Sequence, residues 1–172
     1  MSKIRFTEPN REILARRDSI INDLTRLVDP AGLITSTDEC RAYETDALTA
    51  YRKMPLAVVL PKTTEEVSAV LKYCHDTGVK VVPRGAGTSL AGGAIPSEDA
   101  VVLGLSKMNR VLAVNYDDRF IRVEAGVTNL SVTAVVAENG WHSPDNLPGP
   151  QVFEPKRSST RLRQTTFGKD HG

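Results

Sequence analysis

Apolar residues recur at helical spacing along residues 9–28, with charged residues between them. This pattern predicts an amphipathic helix, whose apolar positions are Ile13, Leu14, Ile20, Ile21, Leu24 and Leu27. Pro30 ends it, because the residue before a proline is disfavoured in the helical conformation. A shorter, weakly apolar helix is expected over residues 37–47. The pattern therefore predicts a helical lead-in over residues 1–54.

From residue 55 onward, short β-branched runs replace the helical spacing. Residues 56–61, "LAVVLP", and residues 79–83, "VKVVP", both predict strands. Between them, Thr63 and Glu66 have the spacing of a capping box, and Gly78 suits the position just beyond a helix. Strand, helix and strand in this order favour a parallel pair with a crossover helix.

Further strands and one helix are predicted before residue 145. Residues 99–105 read as a strand, and residues 110–115 and 119–126 read as a hairpin around "YDD". A helix should then begin at Thr128 and stop at Gly140, with Leu130, Val132, Val135 and Val136 as its apolar residues. The fold class is therefore α+β or mixed α/β.

Composition and charge exclude several classes of protein. The chain of 172 residues carries 22 basic and 21 acidic residues, a balance that argues against a general binder of nucleic acid or anionic membrane. No apolar run reaches the length of a membrane span, and the N-terminus lacks a secretory signal. Cys40 and Cys74 are expected to be reduced thiols in a cytoplasmic protein. Three scattered histidines share no metal-ligand spacing.

The C-terminal stretch, residues 146–172, differs from the rest in composition. It is rich in proline and basic residues and has no periodicity, which predicts a disordered tail. A nucleic-acid-binding arm is the alternative. Only Phe153 and Phe167 are available there for base stacking, which gives that alternative little support.

The most informative stretch is the glycine-rich segment "VVPRGAGTSLAGGA" at residues 81–94. A P-loop would need a Lys followed by Ser or Thr after its glycines, and the segment has none. A dinucleotide fingerprint would need a third glycine where Leu90 stands, followed by a helix. Both standard phosphate motifs are therefore excluded by spacing.

The ingredients of an anion site nevertheless remain. Gly85 and Gly87 let the backbone curl, so that successive amides aim at one point. Thr88 and Ser89 add hydroxyl donors. Arg84 is either a phosphate partner or a surface cation. On spacing alone, a ligand site and a tight connection without a ligand both stay open.

Three separated blocks together sharpen this interpretation. The segment, the preceding "VVLPKTTEEVSAVLKYCHDTG" and the later "RFIRVEAGVTNLSV" resemble the vanillyl-alcohol-oxidase-type, or PCMH-type, FAD-binding domain. The likeness is to the branch of the glycolate oxidases and D-lactate dehydrogenases, and it covers about residues 10–145. It implies the N-terminal half of such a domain at residues 55–145: a parallel strand–helix–strand unit plus a hairpin.

The resemblance also implies which residues bind the cofactor. The pyrophosphate of FAD would be wrapped by Arg84, Gly85, Ala86, Gly87, Thr88 and Ser89. Pro83 would set the entry to the loop, Gly92 and Gly93 would continue the flavin-facing turn, and Pro144 would begin the next flavin segment. Some members tether flavin through a histidine where this chain has Thr88, so the resemblance implies non-covalent FAD.

Beyond Pro144 the resemblance stops. The second glycine-rich block and the substrate domain of the family have no counterpart here, so we expect a truncated or frame-shifted product, or a partial one. No catalytic residue can be named. The chain would be the FAD-binding portion of a 2-hydroxy-acid oxidoreductase, with other subunits of a glycolate-oxidase-type complex as partners. The alternative is a non-catalytic nucleotide-binding or subunit-docking module.

The first prediction concerns the chain by itself. Half a site should bind the long FAD molecule weakly. Binding orders both FAD and the loop, and contacts along only part of FAD do not offset that loss of entropy. We expect low flavin absorbance in the purified protein and no dye reduction driven by a 2-hydroxy acid. Robust dye reduction by this chain alone would contradict the expectation.

Overall fold

The computed structural model describes residues 7–142 and 154–155. Its helices are α1 (Arg11–Ala15), α2 (Arg17–Thr25), α3 (Thr37–Cys40), α4 (Thr64–Thr77) and α5 (Asn129–Ala137). Its strands are β1 (Leu33–Ile34), β2 (Ala57–Val59), β3 (Lys80–Arg84), β4 (Ala100–Gly104), β5 (Val111–Asn115), β6 (Phe120–Val123), β7 (Trp141–His142) and β8 (Glu154–Pro155). Short 3-10 turns lie at Pro30–Gly32 and Arg41–Tyr43.

The chain divides into two compact units, Met1–Met108 and Asn109–Gly172. The first contains a four-stranded sheet in the order β1-β2-β4-β3. Strands β2 and β3 are both parallel to β4, whereas β1 is antiparallel to β2. The mixed α+β class is confirmed.

The predicted parallel strands β2 and β3 are not hydrogen-bonded neighbours. Strand β4 lies between them, so that Val101 pairs with Ala57 on one side and with Val81 on the other. The crossover through α4 therefore passes over one strand position. The apolar pattern of each strand could not reveal this order, because a strand buried on both faces has the same composition beside either neighbour.

Both faces of the sheet are covered, and every residue of β2 and β4 is buried. One face packs against α1, α2 and α4 through a core that includes Ile13, Ile20, Leu24, Val59, Val70, Cys74, Val101 and Leu103. The other face packs against the segment from α3 to residue 54 through Cys40, Val58, Leu60 and Val102, with Ile34, Tyr43, Met54 and Val82 at its margin. This double burial explains the continuous apolar runs of β2 and β4.

The lead-in is helical, but it also supplies a strand. The predicted helix over residues 9–28 is divided at Arg16, where φ is −96° and ψ is 9°. The second predicted helix, over residues 37–47, is reduced to α3 and the following 3-10 turn. Between them β1 joins the sheet, and two residues are too few for any periodic pattern to indicate.

Helix α4 begins and ends as its sequence predicts. The Thr63 hydroxyl accepts the Glu66 amide at 3.2 Å, and Gly78 ends the helix with φ of 74°. The Glu66 carboxylate does not complete the box at Thr63. It accepts instead from the amides of Lys62 at 2.6 Å and Asp29 at 3.3 Å. The cap thereby ties α4 to the turn that follows α2 in the lead-in.

The second unit contains the predicted hairpin and helix. Strands β5 and β6 pair antiparallel, with an irregularity between Val111 and Ala113. Thr128 caps α5 by accepting the Ser131 amide at 3.2 Å. Of the four predicted apolar residues of this helix, only Val132 and Val136 are buried, and Leu130 and Val135 face solvent.

The C-terminal stretch is described only in part. Strand β7 pairs with β8, so two residues of the predicted tail form a strand, and the rest of residues 146–172 lies outside the described residues. Within the described part of the chain, none of the helices combines the length and the apolar character that a bilayer crossing requires.

A buried carboxylate anchors the lead-in to the sheet. Asp99, which is fully buried, accepts from Lys80 Nζ at 2.8 Å, the Asn10 amide at 2.9 Å and the Ser97 hydroxyl at 2.7 Å. Burial alone would raise the pKa of Asp99. The Lys80 ammonium and the other hydrogen bonds outweigh it and lower the pKa from 3.8 to about 2.

We predict that this carboxylate makes the fold acid-sensitive. Because its pKa in the folded state lies below the ordinary value of 3.8, its stabilisation is complete above about pH 4 and is lost as the pH falls through about 2. Asp99→Asn should lower the free energy of unfolding by about 2 kcal/mol at pH 7. The loss should shrink between pH 4 and 2, measured by urea titration at each pH.

Asp18→Asn is the matched control, because its side chain is 97% exposed and the same charge is removed. It should shift stability by less than about 0.5 kcal/mol. A pH-independent loss in Asp99→Asn would show that shape, not charge, is what Asp99 contributes.

Candidate functional site

The glycine-rich loop, residues 85–94, begins where β3 ends at one edge of the sheet. Strands β2, β4 and β3 are parallel, so their carboxyl ends lie along the same rim, which is where ligands bind in open α/β sheets. Pro83 lies within the edge strand β3, where a missing amide hydrogen is tolerated. The local fold therefore places the loop at the carboxyl ends of the parallel strands, where a ligand can bind.

The Arg84 side chain turns toward the lead-in. Alternation along β3 puts Arg84 on the same face as Val82, and the margin of that face includes Tyr43. The guanidinium lies 5.4 Å from the centre of the Tyr43 ring, and its Nη1 donates to the Thr45 carbonyl at 2.7 Å. Arg84 is thus a partly buried side chain that anchors the end of β3 to the lead-in. It is not a free surface cation, which was one of the two roles that the sequence left possible.

Gly87 is the position where a side chain cannot be accommodated. Its φ is 73°, and a Cβ built there would collide with the guanidinium of Arg84, lying 2.6 Å from Cζ. Gly92 has φ of 75° and also favours glycine, whereas Gly85 and Gly93 have open space around them. The loop therefore passes directly over the cation at Gly87.

The backbone amides of this loop are available. Among the described residues, none of the six consecutive amides of residues 85–90 donates a hydrogen bond to another protein group. Thr88 and Ser89 are exposed beside them, and the Ser89 hydroxyl accepts the Ala91 amide at 3.2 Å. A run of unpaired amides, with the Arg84 guanidinium against Gly87, supplies the donors and the positive charge that suit an anion.

Nine of the ten predicted site residues are brought together in this one segment: Pro83, Arg84, Gly85, Ala86, Gly87, Thr88, Ser89, Gly92 and Gly93. The tenth, Pro144, lies outside the described residues. Sequence reasoning missed Tyr43 and Thr45, which hold Arg84 from below. Thr45 lies 39 positions before Arg84 and Tyr43 lies farther still, so no local pattern could have indicated either residue.

In the part of the chain that the structure describes, no three His, Cys, Asp or Glu side chains converge to hold a metal ion. Cys40 and Cys74 are free and buried. Burial raises the pKa of both thiols, that of Cys74 to about 11, so both stay protonated at neutral pH.

Comparison with known families gives the loop its context. The family described as FAD binding domain matches residues 55–152, more than half of the 172 residues. The chain belongs to this family. FAD is therefore the cofactor of the domain, and the match includes the complete glycine-rich loop.

Two curated relatives agree with the branch inferred from the sequence. Glycolate oxidase subunit GlcD of Escherichia coli K12 is 42% identical over 137 residues, which are 79% of this chain and 27% of the relative. A putative mitochondrial D-lactate dehydrogenase of Schizosaccharomyces pombe is 33% identical over 137 residues, 80% of this chain and 25% of the relative. The chain spans about a quarter of the length of these relatives.

A solved structure supports the fold. Alkyldihydroxyacetonephosphate synthase superposes with a TM-score of 0.67 at 19% identity, over 83% of this chain and 28% of that one. The predicted resemblance to the vanillyl-alcohol-oxidase-type FAD-binding domain is confirmed. The boundaries drawn at residues 54 and 145 stay a prediction.

The loop also fits the cofactor chemically. FAD carries a doubly charged pyrophosphate, which requires several N–H donors and a nearby cation. The unpaired amides of residues 85–90 and the Arg84 guanidinium beneath Gly87 supply both. A larger residue at 87 would fill this space and displace the cation.

We predict that Gly87→Ala is more destabilising than Gly78→Ala. Both glycines have nearly the same φ, 73° and 74°, so the backbone penalty of about 1–2 kcal/mol is common to both. Only at residue 87 must Arg84 move away and give up its hydrogen bond to Thr45. The free energy of unfolding, measured by urea titration, should fall by about 1 kcal/mol more in Gly87→Ala.

The Arg84→Ala background provides the control, because it removes the guanidinium that a Cβ would meet. There the two glycine substitutions should be equally destabilising. If the two substitutions lower the free energy of unfolding equally in the wild-type background, the contact between Gly87 and Arg84 does not contribute to stability.

Proposed function

We propose that the amides of residues 85–89 bind the pyrophosphate of FAD, with the hydroxyls of Thr88 and Ser89 as additional donors. The unpaired amides of these five residues, with the Arg84 guanidinium against Gly87, carry this proposal. An anion at that place would complete hydrogen bonds that the chain leaves open. The positive charge of Arg84 would attract the pyrophosphate while its side chain keeps the hydrogen bond to Thr45. A direct contact between Arg84 and the pyrophosphate stays a prediction.

The remaining predicted residues have supporting roles in this proposal. Pro83 fixes the entry to the loop, and Gly92 and Gly93 continue the turn that faces the flavin. Pro144 would begin the next flavin segment. Thr88 has no nucleophilic nitrogen where some relatives tether the flavin, so we propose that FAD is held non-covalently. Denaturation in acid should then release all of the flavin into the supernatant.

We further propose that the chain is the FAD-binding portion of a flavin-dependent 2-hydroxy-acid oxidoreductase. Bound FAD would supply the redox chemistry by accepting a hydride from the substrate. The relatives named as a glycolate oxidase component and a D-lactate dehydrogenase support glycolate or D-lactate as substrate and other oxidase subunits as partners. Buried free thiols support a reducing compartment such as the cytoplasm.

A non-catalytic docking module is the second candidate. It is favoured by large apolar side chains that are exposed in the second unit: Leu112, Phe120, Leu130 and Val135. Two of these side chains lie on the hairpin and two on α5, and exposed apolar side chains of this size are available for contact with another protein. A chain of this kind would still bind the nucleotide part of FAD. It would contribute a surface for binding another protein, and it would catalyse no reaction.

The proposed site is tested by titrating FAD into the 172-residue chain. Fluorescence quenching gives the dissociation constant of FAD. Competition with ADP and with adenosine shows how much of the affinity comes from the phosphate groups. ADP should compete and adenosine should not. Gly87→Val should weaken FAD binding by about tenfold or more, since the added side chain displaces both the amides and Arg84.

Gly78→Val is the matched control because it has the same backbone strain at the end of α4, away from the loop. Its affinity for FAD should equal that of the wild type. Circular dichroism establishes that both variants are folded. A folded Gly87→Val variant with wild-type affinity would exclude the loop as the pyrophosphate site.

A further inference from the structure

One buried carboxylate near the glycine-rich loop has an unused oxygen. Asp46 is only 4% exposed, and its Oδ1 accepts the Leu48 amide at 2.9 Å. Its Oδ2 is buried and has no hydrogen-bond partner among the described residues. An unpaired buried carboxylate oxygen is costly, and such groups are rare in native proteins. A hydrogen-bond donor supplied by a ligand would remove this cost.

The position of Asp46 indicates where that partner would come from. The preceding residue, Thr45, accepts from Arg84 at the start of the loop. Leu48 lies at the other end, where its Cδ2 would be 3.6 Å from a Cβ built on Gly92. Asp46 thus lies between a contact with the last residue of β3 and a contact with the loop that we assign to FAD.

The backbone around Asp46 is fixed. The Thr45 hydroxyl donates to the carbonyl of Asp46 at 3.1 Å and lies 3.4 Å from the carbonyl of Leu48. The segment therefore forms a closed turn, and Oδ1 is committed to the Leu48 amide within it. Rotating the carboxylate to expose Oδ2 would break that hydrogen bond. Because Oδ2 is closed to solvent, a ligand hydroxyl reaches it only if the neighbouring loop shifts when the ligand binds.

We propose that Asp46 Oδ2 accepts a hydrogen bond from a sugar hydroxyl of bound FAD. An ionised carboxylate only accepts hydrogen bonds, so a phosphate oxygen cannot satisfy it. The groups of FAD that flank the pyrophosphate and carry O–H donors are the ribityl chain on one side and the adenosine ribose on the other. This inference rests on the proposed function of the loop, and it adds a recognition element from the lead-in.

The test compares four probes: FAD, FMN, ADP and inorganic pyrophosphate. Dissociation constants come from amide shift titrations of the ¹⁵N-labelled chain, which report weak binding and need no activity. In Asp46→Asn the carbonyl oxygen keeps the Leu48 amide, and an NH₂ group takes the place of Oδ2. We expect FAD affinity to fall about tenfold to a hundredfold, because a hydrogen bond to a charged acceptor is lost.

The other probes identify the hydroxyl. An equal loss for FMN assigns the ribityl chain, and an equal loss for ADP assigns the ribose. Pyrophosphate has no hydroxyl and should bind Asp46→Asn and wild type alike. Asp38→Asn is the control, since it removes the same charge from the lead-in at a side chain that is 92% exposed. It should leave all four constants unchanged.

Two outcomes would overturn the inference while leaving the loop as the pyrophosphate site. In the first, Asp46→Asn binds every probe as the wild type does. In the second, it loses affinity for pyrophosphate as strongly as for FAD, so that Asp46 acts on the shape of the loop and not on a sugar. If the wild type binds none of the four probes, the proposed function fails together with the inference.

Discussion

The candidate site depends on the position of one guanidinium. Arg84 leaves the end of an edge strand, stacks on Tyr43, donates to Thr45 and lies beneath Gly87. It thereby joins the sheet, the lead-in and the loop through a single side chain. A loop without regular structure is given a defined shape in this way. Lysine could not replace it, because only a planar guanidinium can stack on the ring and donate sideways at once.

The sheet gives this arrangement a rigid base. Its two central strands are buried on both faces, and Asp99 fixes the beginning of β4 to the N-cap of α1. The lead-in is consequently part of the unit that carries the loop and not a separate arm. Residues 43–48 can hold Arg84 only because the chain on both sides of them is packed against the sheet.

Local features were predictable from the sequence, and contacts between distant residues were not. The caps at Thr63, Gly78 and Thr128 depend on residues within a few positions, and all three are present. The strand order, the two-residue β1 and the anchor of Arg84 at Thr45 depend on packing across many positions. The glycine-rich loop was recognised from its residues and its flanking blocks. Its amides were identified as unpaired only from the three-dimensional structure, since pairing cannot be inferred from composition.

The strand order has a consequence for synthesis on the ribosome. Strand β4 occupies the centre of the parallel strands, yet it is the last of them to be made, about 20 residues after β3. Until then β2 and β3 have no partner in common, and the loop emerges before the sheet that supports it. At elongation rates of about 5–20 residues per second, this nascent intermediate lasts roughly 1–4 s. Slow translation across residues 85–104 would prolong the exposure of β3 and of the open edge of β2 to aggregation or chaperone capture.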